Sequence, residues 1–396
     1  MELTTPQSIL ARWGLFFLVC AVPAAAAPGR RSIKEVEQAR SFLGAKALGL
    51  LHTAMVHEDS EVRVMAAEQW GPIGNPAAVP VLQRALKDSN LYVRIAAAGS
   101  LLELGDQSGV QAVEGAAAAA TKPSEVKGAL GALEEMRAIA RNKQRITAIQ
   151  ALAHMGAPSS LSVVRQAAKD ADAAVRDAAA AALARLGDSA ALERLVAGLS
   201  SDDPAIRAKA ASALSDAGTP AVLDKLKRLA EDPAYQVRAA VMEALGESGN
   251  ALVLPELLGG IRDQNDMVRA KAVAALGRLG TPAAAQYLEE ARHAASTVYM
   301  ELLATAGLAR LGEPVDRAPA RRALYQPDAD TRLLAVEVLE AVAARAKAKG
   351  SEPDERAALE DLETALDDAQ MRVRVRAAAA LVRRLQKTPP APKAAK

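Results

Sequence analysis

The sequence is built from copies of one short segment, and this periodicity narrows the possible folds to arrays of stacked units. The segment VRAKAVAALGRLG at 268–280 recurs at 237–249, 206–218, 175–187 and 93–105, and more loosely at 62–74 and 144–156. Its arginine lies at 63, 94, 145, 176, 207, 238 and 269, so the period is 31 except for one interval of 51. The long interval predicts an insertion of 20 residues at 105–124, and degenerate copies near 311, 332 and 374 bring the total to about ten units. Such a chain is predicted to stack its units one on the next.

Each unit is predicted to form two antiparallel helices. The first helix begins at a capping side chain followed by proline, as in Asn75-Pro76 and Thr281-Pro282, and breaks at an Asp-containing loop. The second opens near the arginine and ends at a glycine, where positive φ is needed. At about 100° per residue, one side of the second helix that contains Arg269 carries an apolar stripe, made of Val268, Ala272, Ala275, Leu276 and Leu279. One hairpin cannot bury this stripe, whereas stacked hairpins can.

The composition agrees with closely packed helices. Hydrophobic residues make up 51% of the chain but aromatic residues only 3%, which disfavours a disordered chain and a sheet protein. No P-loop, G-x-S-x-G, H-E-x-x-H or dinucleotide fingerprint occurs. The formal net charge is +2, so no overall field directs the protein to nucleic acid. The sequence therefore predicts an all-α protein that is not an enzyme, uses no cofactor and works by binding.

These repeats resemble a known family. A proline-started helix, an Asp loop and a second helix opening V-R-x-x-A-A-x-A-L-x-x-L-G are similar to the short, phycobilisome-lyase-like form of HEAT repeats, over roughly 32–385. The resemblance implies an α-α superhelix, a HEAT-like and armadillo-like solenoid, whose second helices line the concave side. Proteins of this family serve as scaffolds, adaptors and, rarely, enzymes.

If the second helices line the concave side, offsets +1, +5 and +9 from each arginine point away from the core stripe. Offset +5 carries mostly small or acidic residues, and offset +9 carries a row of mixed charge. Such a surface is shallow and suits a protein or peptide partner, since a small molecule requires a deeper apolar pocket. We predict that the partner binds along the row formed by Glu103, His154, Arg185, Asp216, Glu247 and Arg278.

A second recurring feature pairs aspartate with the marker arginine. An aspartate lies six residues before the arginine in four units, at Asp88, Asp170, Asp232 and Asp263. The pattern fits a charged track that binds a ligand, or a hydrogen-bonded ladder between loop carboxylates and guanidinium groups of the same or adjacent repeats. The ladder is favoured, because planar arginine suits bidentate carboxylate contacts and a ligand rarely needs the same group from every repeat.

The alternative function is a metal- or cofactor-dependent HEAT-repeat enzyme, lyase-like or hydroxylase-like. His52 and His57, with Glu58, Asp59 and Glu61, are the one place where imidazole and carboxylate groups cluster in the sequence. A spacing of five does not bring two helical side chains onto one face, which disfavours a metal site. His57-Glu58 is similar to the His-Glu pairs of deoxyhypusine hydroxylase, a HEAT-repeat iron enzyme that repeats the pair. Stoichiometric iron or zinc in the purified protein would favour this alternative.

The first residues have the layout of a secretory signal peptide. A short apolar run at 13–22 follows a basic residue, and small residues then provide a cleavage site between Ala26 and Ala27. The run is too short to span a membrane. The protein is therefore predicted to be exported, to the periplasm or the extracellular space. A lipoprotein anchored at Cys20 is disfavoured, because Val19 stands where a small residue is expected.

The remaining boundaries follow from these assignments. The signal peptide is predicted over 1–26, the solenoid over 27–387 and a solvated Pro/Lys tail over 388–396. Within the last repeat, an acidic helix precedes a basic one that contains Arg383 and Arg384. We interpret this pair as a hairpin whose two helices attract each other and whose polar outer face caps the solenoid, rather than as a nucleic-acid site.

Overall fold

The structure is a computed structural model that describes residues 33–119, 129–156, 158–215 and 220–386. The chain divides into two compact units, Met1–Phe42 and Leu43–Lys396. The segment Met1–Phe42 contains the beginning of helix α1, and all later helices belong to the segment Leu43–Lys396. The predicted signal peptide and the C-terminal tail lie outside the described residues, so these two boundaries remain predictions.

The described residues form α-helices arranged as ten two-helix units and contain no strand. The first helices of the units are α1 (Ile33–Ala54), α3 (Val79–Ala85), α5 (Ser108–Ala118), α7 (Leu161–Ala167), α9 (Ser189–Gly198), α11 (Pro220–Arg228), α13 (Leu254–Gly260), α15 (Ala285–His293), α17 (Ala318–Ala323) and α19 (Glu352–Thr364). The second helices are α2 (Ser60–Ile73), α4 (Leu91–Glu103), α6 (Ala129–Met155), α8 (Ala173–Arg185), α10 (Pro204–Ala213), α12 (Tyr235–Glu247), α14 (Asp266–Leu279), α16 (Val298–Arg310), α18 (Ala329–Ala348) and α20 (Met371–Leu385). The prediction of an all-α superhelix of about ten units is confirmed.

Local sequence signals set most of these helix ends. A glycine with positive φ follows second helices where predicted, for example Gly74 and Gly280, both with φ of 70°. Asn75 caps the next helix, because its Oδ1 accepts the N–H of Ala77 at 3.0 Å. The predicted cap at Thr281 is wrong: its backbone is extended as in a cap, but its hydroxyl makes no cap hydrogen bond.

The apolar stripe of the second helices is buried between neighbouring units. In α14, Val268, Ala272, Ala275 and Leu276 are each 0% exposed. Small residues let the helices approach closely: a Cβ added at Gly246 would lie 2.4 Å from the Cβ of Ala275 in the next second helix. The stripe is therefore buried as predicted. Glycines also let adjacent second helices approach more closely than the apolar pattern alone indicates.

The second helices form the inner layer. They pack on one another from unit to unit, whereas the first helices of adjacent units touch much less. The layer whose members lie closer together is the concave one, which agrees with the placement implied by the resemblance. At α8 and α10 the direct contact is slight and α9 lies between them. A separate hydrophobic cluster that begins at Ala98 ends at Ala191 in α9, and the main cluster includes residues before and after it.

Within residues 43–396, the second helices of the first and last two-helix units pack on each other. Helix α20 lies against α18 and also against α2. Arg376 and Arg383 donate to Oε1 of the buried Gln69 in α2, at 3.2 and 3.3 Å. Arg383 also donates to both carboxylate oxygens of Glu340 in α18, at 2.7 and 2.8 Å. The prediction of a terminal cap is wrong, because α20 directs these arginines to α18 and α2 rather than to the acidic helix α19, and thereby joins the last unit to the first.

The inserted residues lie later than predicted. Residues 108–118 form an ordinary first helix, α5, and its Ala117 carbonyl accepts a hydrogen bond from Arg145 Nε at 3.3 Å. Helix α6, however, begins at 129, sixteen residues before its marker arginine, whereas α12 begins three residues before Arg238. We call residues 129–141 the α6 overhang. At 1.5 Å per residue it extends about 20 Å beyond the level at which the other second helices begin.

An arginine–aspartate ladder connects adjacent units. Nε and Nη2 of Arg238 donate to the two carboxylate oxygens of Asp263 at 2.6 and 2.9 Å, and Nη1 donates to the carbonyls of Asp232 and Pro233 at 2.8 and 3.2 Å. The Arg238 hydrogen bond holds the pKa of Asp263 below its usual range. The other inter-unit rungs are Arg63 with Asp88, Arg145 with Asp170, Arg207 with Asp232 and Arg332 with Asp368. The predicted ladder is confirmed, and the carboxylate comes from the following unit.

The ladder lacks a rung where the following unit has no aspartate at the matching position. Four of the pairs are 25 residues apart, but Ala294 stands at that distance after Arg269. Arg269 keeps the bonds to its own loop, since its Nη1 donates to the carbonyls of Asp263 and Gln264 at 2.7 and 3.0 Å. The chain thus contains arginines with and without the inter-unit carboxylate.

Replacement of Arg238 by alanine is expected to lower the free energy of unfolding by about 1–3 kcal/mol, because it leaves a carboxylate and two carbonyls without their donor. Arg269→Ala is the matched control: it removes the bonds to its own loop and an ion pair with the exposed Asp266 of the same helix, but no inter-unit pair, and should cost less. Urea unfolding followed by circular dichroism measures both. Equal losses in the two variants would contradict a stabilising role for the inter-unit pair.

A pair of glycine substitutions tests the close approach of the second helices. Gly246→Ala is expected to destabilise the protein by about 1–3 kcal/mol, because its Cβ would overlap Ala275. Gly99→Ala, inside α4 with no atom within 4 Å of the added Cβ, should instead stabilise by about 0.5–1 kcal/mol. Thermal and urea unfolding measure the change in stability of each variant. An unchanged stability in Gly246→Ala would refute the tight contact.

Candidate partner-binding surface

The predicted row lies at the C-terminal ends of the second helices. Glu103, Arg185 and Glu247 are the last residues of α4, α8 and α12, and His154 and Arg278 are the last but one in α6 and α14. The sixth predicted residue, Asp216, lies outside the described residues. The row therefore follows one edge of the inner layer, opposite the edge that carries the Asp loops.

Most of the row is open to solvent. The side chains of Glu103, His154, Glu247 and Arg278 are exposed. In the described part of the chain, no hydrogen bond or ion pair engages any of these four side chains. The fold thus leaves their charges available, in contrast to the arginines of the ladder.

Two charged residues of the row, Arg185 and Glu247, affect the pKa of a third, His154, although the three lie in different units. Burial lowers the pKa of His154, and the positive charge of Arg185 lowers it further while Glu247 opposes this. Glu247 belongs to a unit three beyond that of His154, so charges from different units act on the same imidazole.

Arg185 differs from the rest of the row. It is half-buried, burial lowers its pKa, and its Nε donates to the carbonyl of Ala153 at 3.2 Å. A cation near the C-terminal carbonyls of α6 is also favoured by the helix dipole. Arg185 therefore joins α8 to α6, and a substitution there would change the fold as well as the surface.

The inner surface formed by α2 and α4 is acidic. Burial raises the pKa of both Glu68 and Glu103. A Cβ at Gly71 would lie 2.4 Å from Oε2 of Glu103, so the carboxylate lies directly over the α2 backbone. Both carboxyl groups are recessed but reached by solvent. This end of the row offers acceptors to a cationic or hydrogen-bond-donating partner.

The two histidines of the alternative function line one open cavity of about 460 Å³. The two histidines are not both helical: α1 ends at Ala54, and His57 lies in the charged loop beyond it. The His52 ring lies 5.0 Å from the ring of Trp70. Nδ1 of His57 accepts the N–H of Asp59 at 3.0 Å. The remaining lining residues are Met55, Val56, Arg63, Val81, Arg84, Ala85 and Asp88.

This cavity does not fit a catalytic metal. The carboxylate of Asp88 is bound by Arg63 at 2.8 and 3.0 Å, which leaves two imidazoles where a catalytic zinc needs three protein ligands. Across the ranges that the structure describes, no group of three or more His, Cys, Asp and Glu side chains is placed to hold a metal ion.

The described helices are also too short or too polar for a bilayer: none of them has the length and apolarity to cross a membrane.

Comparison with known families assigns the repeats. The family model of HEAT repeats matches residues 47–134, 131–202, 185–241 and 226–309. The chain belongs to the HEAT-repeat family. The resemblance seen in the sequence is therefore confirmed. A search of curated proteins finds no match for this HEAT-repeat protein.

Several solved structures are similar to this HEAT-repeat chain. An engineered protein is 19% identical, with a TM-score of 0.34, and the match covers 85% of this chain and 98% of that one. Human deoxyhypusine hydroxylase in complex with glycerol is 18% identical, with a TM-score of 0.32 and coverage of 70% and 98%. The complex of CpcE and CpcF of phycocyanin lyase from Nostoc sp. PCC7120 is 19% identical, with a TM-score of 0.33 and coverage of 72% and 94%. Such likeness carries no information about chemistry.

Sequence reasoning missed the apolar surface of the α6 overhang. Leu130, Leu133, Met136 and Ile139 are 70%, 43%, 68% and 63% exposed. The available signal was the run of large apolar residues at every third position, within the one interval that exceeds the regular period. That run falls outside the register of the buried stripe.

Proposed function

We propose that the chain is an exported, non-enzymatic HEAT-repeat scaffold or adaptor that binds a protein or peptide partner along the inner row of the second helices. The observation that carries this proposal is the division of charge between two sets of residues. The ladder arginines are engaged in the fold, whereas Glu103, His154, Glu247 and Arg278 are exposed and unengaged in the described part of the chain.

The character of the row favours a macromolecular partner. Acidic, imidazole and cationic groups follow one another over several units, and HEAT repeats commonly mediate protein interactions. Charges spread in this way give specificity and raise the association rate with a complementary surface. The described aromatic side chains contribute nothing to the row, so binding is expected to be distributed rather than centred on one anchor.

The non-enzymatic part of the proposal rests on the sequence motifs and on the cavity near α1. The chain carries no recognised catalytic motif, and in the cavity lined by His52 and His57 the carboxylate of Asp88 is bound by Arg63. The export part rests on the signal-peptide layout of residues 1–26.

Reversing three charges of the row tests the binding site. The variant Glu103→Lys, Glu247→Lys, Arg278→Glu is expected to retain at least about tenfold less partner from an envelope extract, because it opposes a complementary surface at three points. The matched control reverses exposed charges on first helices: Glu193→Lys, Glu290→Lys, Arg194→Glu. Immobilised protein and quantitative mass spectrometry compare each variant with the unmodified chain.

The control changes the net charge by the same amount, so loss in both variants would indicate a nonspecific electrostatic effect. Retention of every partner by the row variant, with unchanged helical content, would show that the inner row is not the binding surface.

Export makes a separate prediction. Protein recovered from its host should begin at Ala27 and fractionate with the soluble envelope proteins, because the signal peptidase removes residues 1–26. N-terminal sequencing and intact mass spectrometry provide the measurement. Cytoplasmic protein that still begins at Met1 would refute export, and a lipid-modified Cys20 would identify a lipoprotein instead.

A further inference from the structure

The α6 overhang presents an apolar surface that the described fold does not cover. Its four large apolar side chains, Leu130, Leu133, Met136 and Ile139, are between 43% and 70% exposed. On the opposite side of the same helix, Gly131 is buried and Ala138 and Asn142 are half-buried. The overhang thus packs through small and polar residues and turns its large apolar residues to solvent, the reverse of an ordinary surface helix.

Part of this apolar surface continues the inner face of the array. Met136 and His154 are separated by about five full turns of the same helix, so they point in the same direction. Ile139 and Gln150 are separated by about three turns and are also nearly aligned. Between them lies the exposed Lys143. One face of α6 therefore runs from apolar side chains on the overhang to the predicted partner-binding row.

Cationic side chains accompany the apolar ones. Arg137, Arg141 and Lys143 are all exposed, within two turns of Met136 and Ile139. In the described part of the chain their side chains take part in no ion pair. Glu135 is the exposed acidic residue of the overhang. The end of the overhang nearest the array is therefore apolar and basic together.

We infer that the α6 overhang anchors an acidic amphipathic segment of the partner, whose apolar side chains dock on Leu133, Met136 and Ile139 and whose carboxylates face Arg137, Arg141 and Lys143. This inference rests on the proposed function, because the bound segment would continue from the overhang onto the inner row. The overhang would then give the partner the apolar contacts that the row lacks.

Two other occupants fit the observations less well. A second copy would bring the same excess of exposed cations, Arg137, Arg141 and Lys143 against the one exposed carboxylate of Glu135, so the two copies would repel each other. A membrane surface would have to accommodate the exposed carboxylate of Glu135 one helical turn from Ile139, and the overhang has no Trp or Tyr to anchor at an interface. The acidic segment makes use of both the apolar and the basic groups.

A synthetic amphipathic peptide provides a direct probe. It carries leucines on one face and glutamates on the other, with a fluorescent label, and fluorescence anisotropy measures its binding to the full chain. We expect Met136→Glu to weaken binding by at least about tenfold, while Met136→Leu retains it. Leu252→Glu, at an apolar residue 73% exposed on another helix pair, is the matched control and should leave binding unchanged.

The electrostatic part is tested separately. A peptide with lysine in place of each glutamate should bind at least about tenfold more weakly, and Arg137→Glu, Arg141→Glu should reduce the salt dependence of binding. Equal binding of the two peptides, or no effect of Met136→Glu, would overturn the inference. Self-association that Met136→Glu abolishes, or binding to phosphatidylglycerol vesicles in place of the peptide, would assign the overhang to a second copy or to a membrane and would equally overturn it.

The same variants separate this inference from the proposed function. If Met136→Glu retains the envelope partner while the row reversal loses it, the overhang is not the anchor but the row still binds. If both variants retain the partner, the overhang and the row are both excluded.

Discussion

Close contact between the second helices of adjacent units holds the array together. No unit buries its own apolar stripe, and the stripe of α14 becomes fully buried only because α12 and α16 lie on either side. Alanine and glycine at these contacts allow backbones to approach, as Gly246 and Ala275 show. Small side chains bury little area each, so stability here comes from many short contacts in a dense layer rather than from a few large residues.

Arginine has two different roles, one in the arginine–aspartate ladder and one at the contact of α20 with α2. Along the array, an arginine binds the aspartate of the next loop and two carbonyls of its own, which fixes the turn between helices as well as the spacing between units. At the junction of α20 with α2, Arg383 instead bridges Glu340 and Gln69 inside the inner layer. An open solenoid leaves an apolar end that a polar terminal repeat must cover, whereas here the last unit covers the first.

The repeat architecture also explains where the candidate partner-binding surface lies. Repeating contacts engage the ladder arginines near the start of the second helices and leave Glu103, His154, Glu247 and Arg278 at the helix ends exposed. The charge of Glu247 affects the pKa of His154 although Glu247 lies three units beyond it. The α6 overhang adds apolar residues to a surface that is otherwise polar. The proposed binding function therefore draws on two features, the inner row of the second helices and the α6 overhang.

Most features that repeat at short range could be predicted from the amino-acid sequence: about ten units, the stripe at Val268 to Leu279, the glycine ends, and an arginine–aspartate ladder. Which unit supplies the aspartate to Arg238 was left open by the sequence. These features depend on one unit and its neighbour, so the regular period is enough to predict them. Four others became visible in the three-dimensional arrangement alone: the junction of α20 with α2, the convergence of His154, Arg185 and Glu247, the shared cavity of His52 and His57, and the place of the inserted residues. The junction and the convergence arise from a small rotation between units that accumulates over the array, and no single repeat encodes that sum. The cavity and the overhang depend on where one helix ends and another begins, which the repeat pattern does not specify.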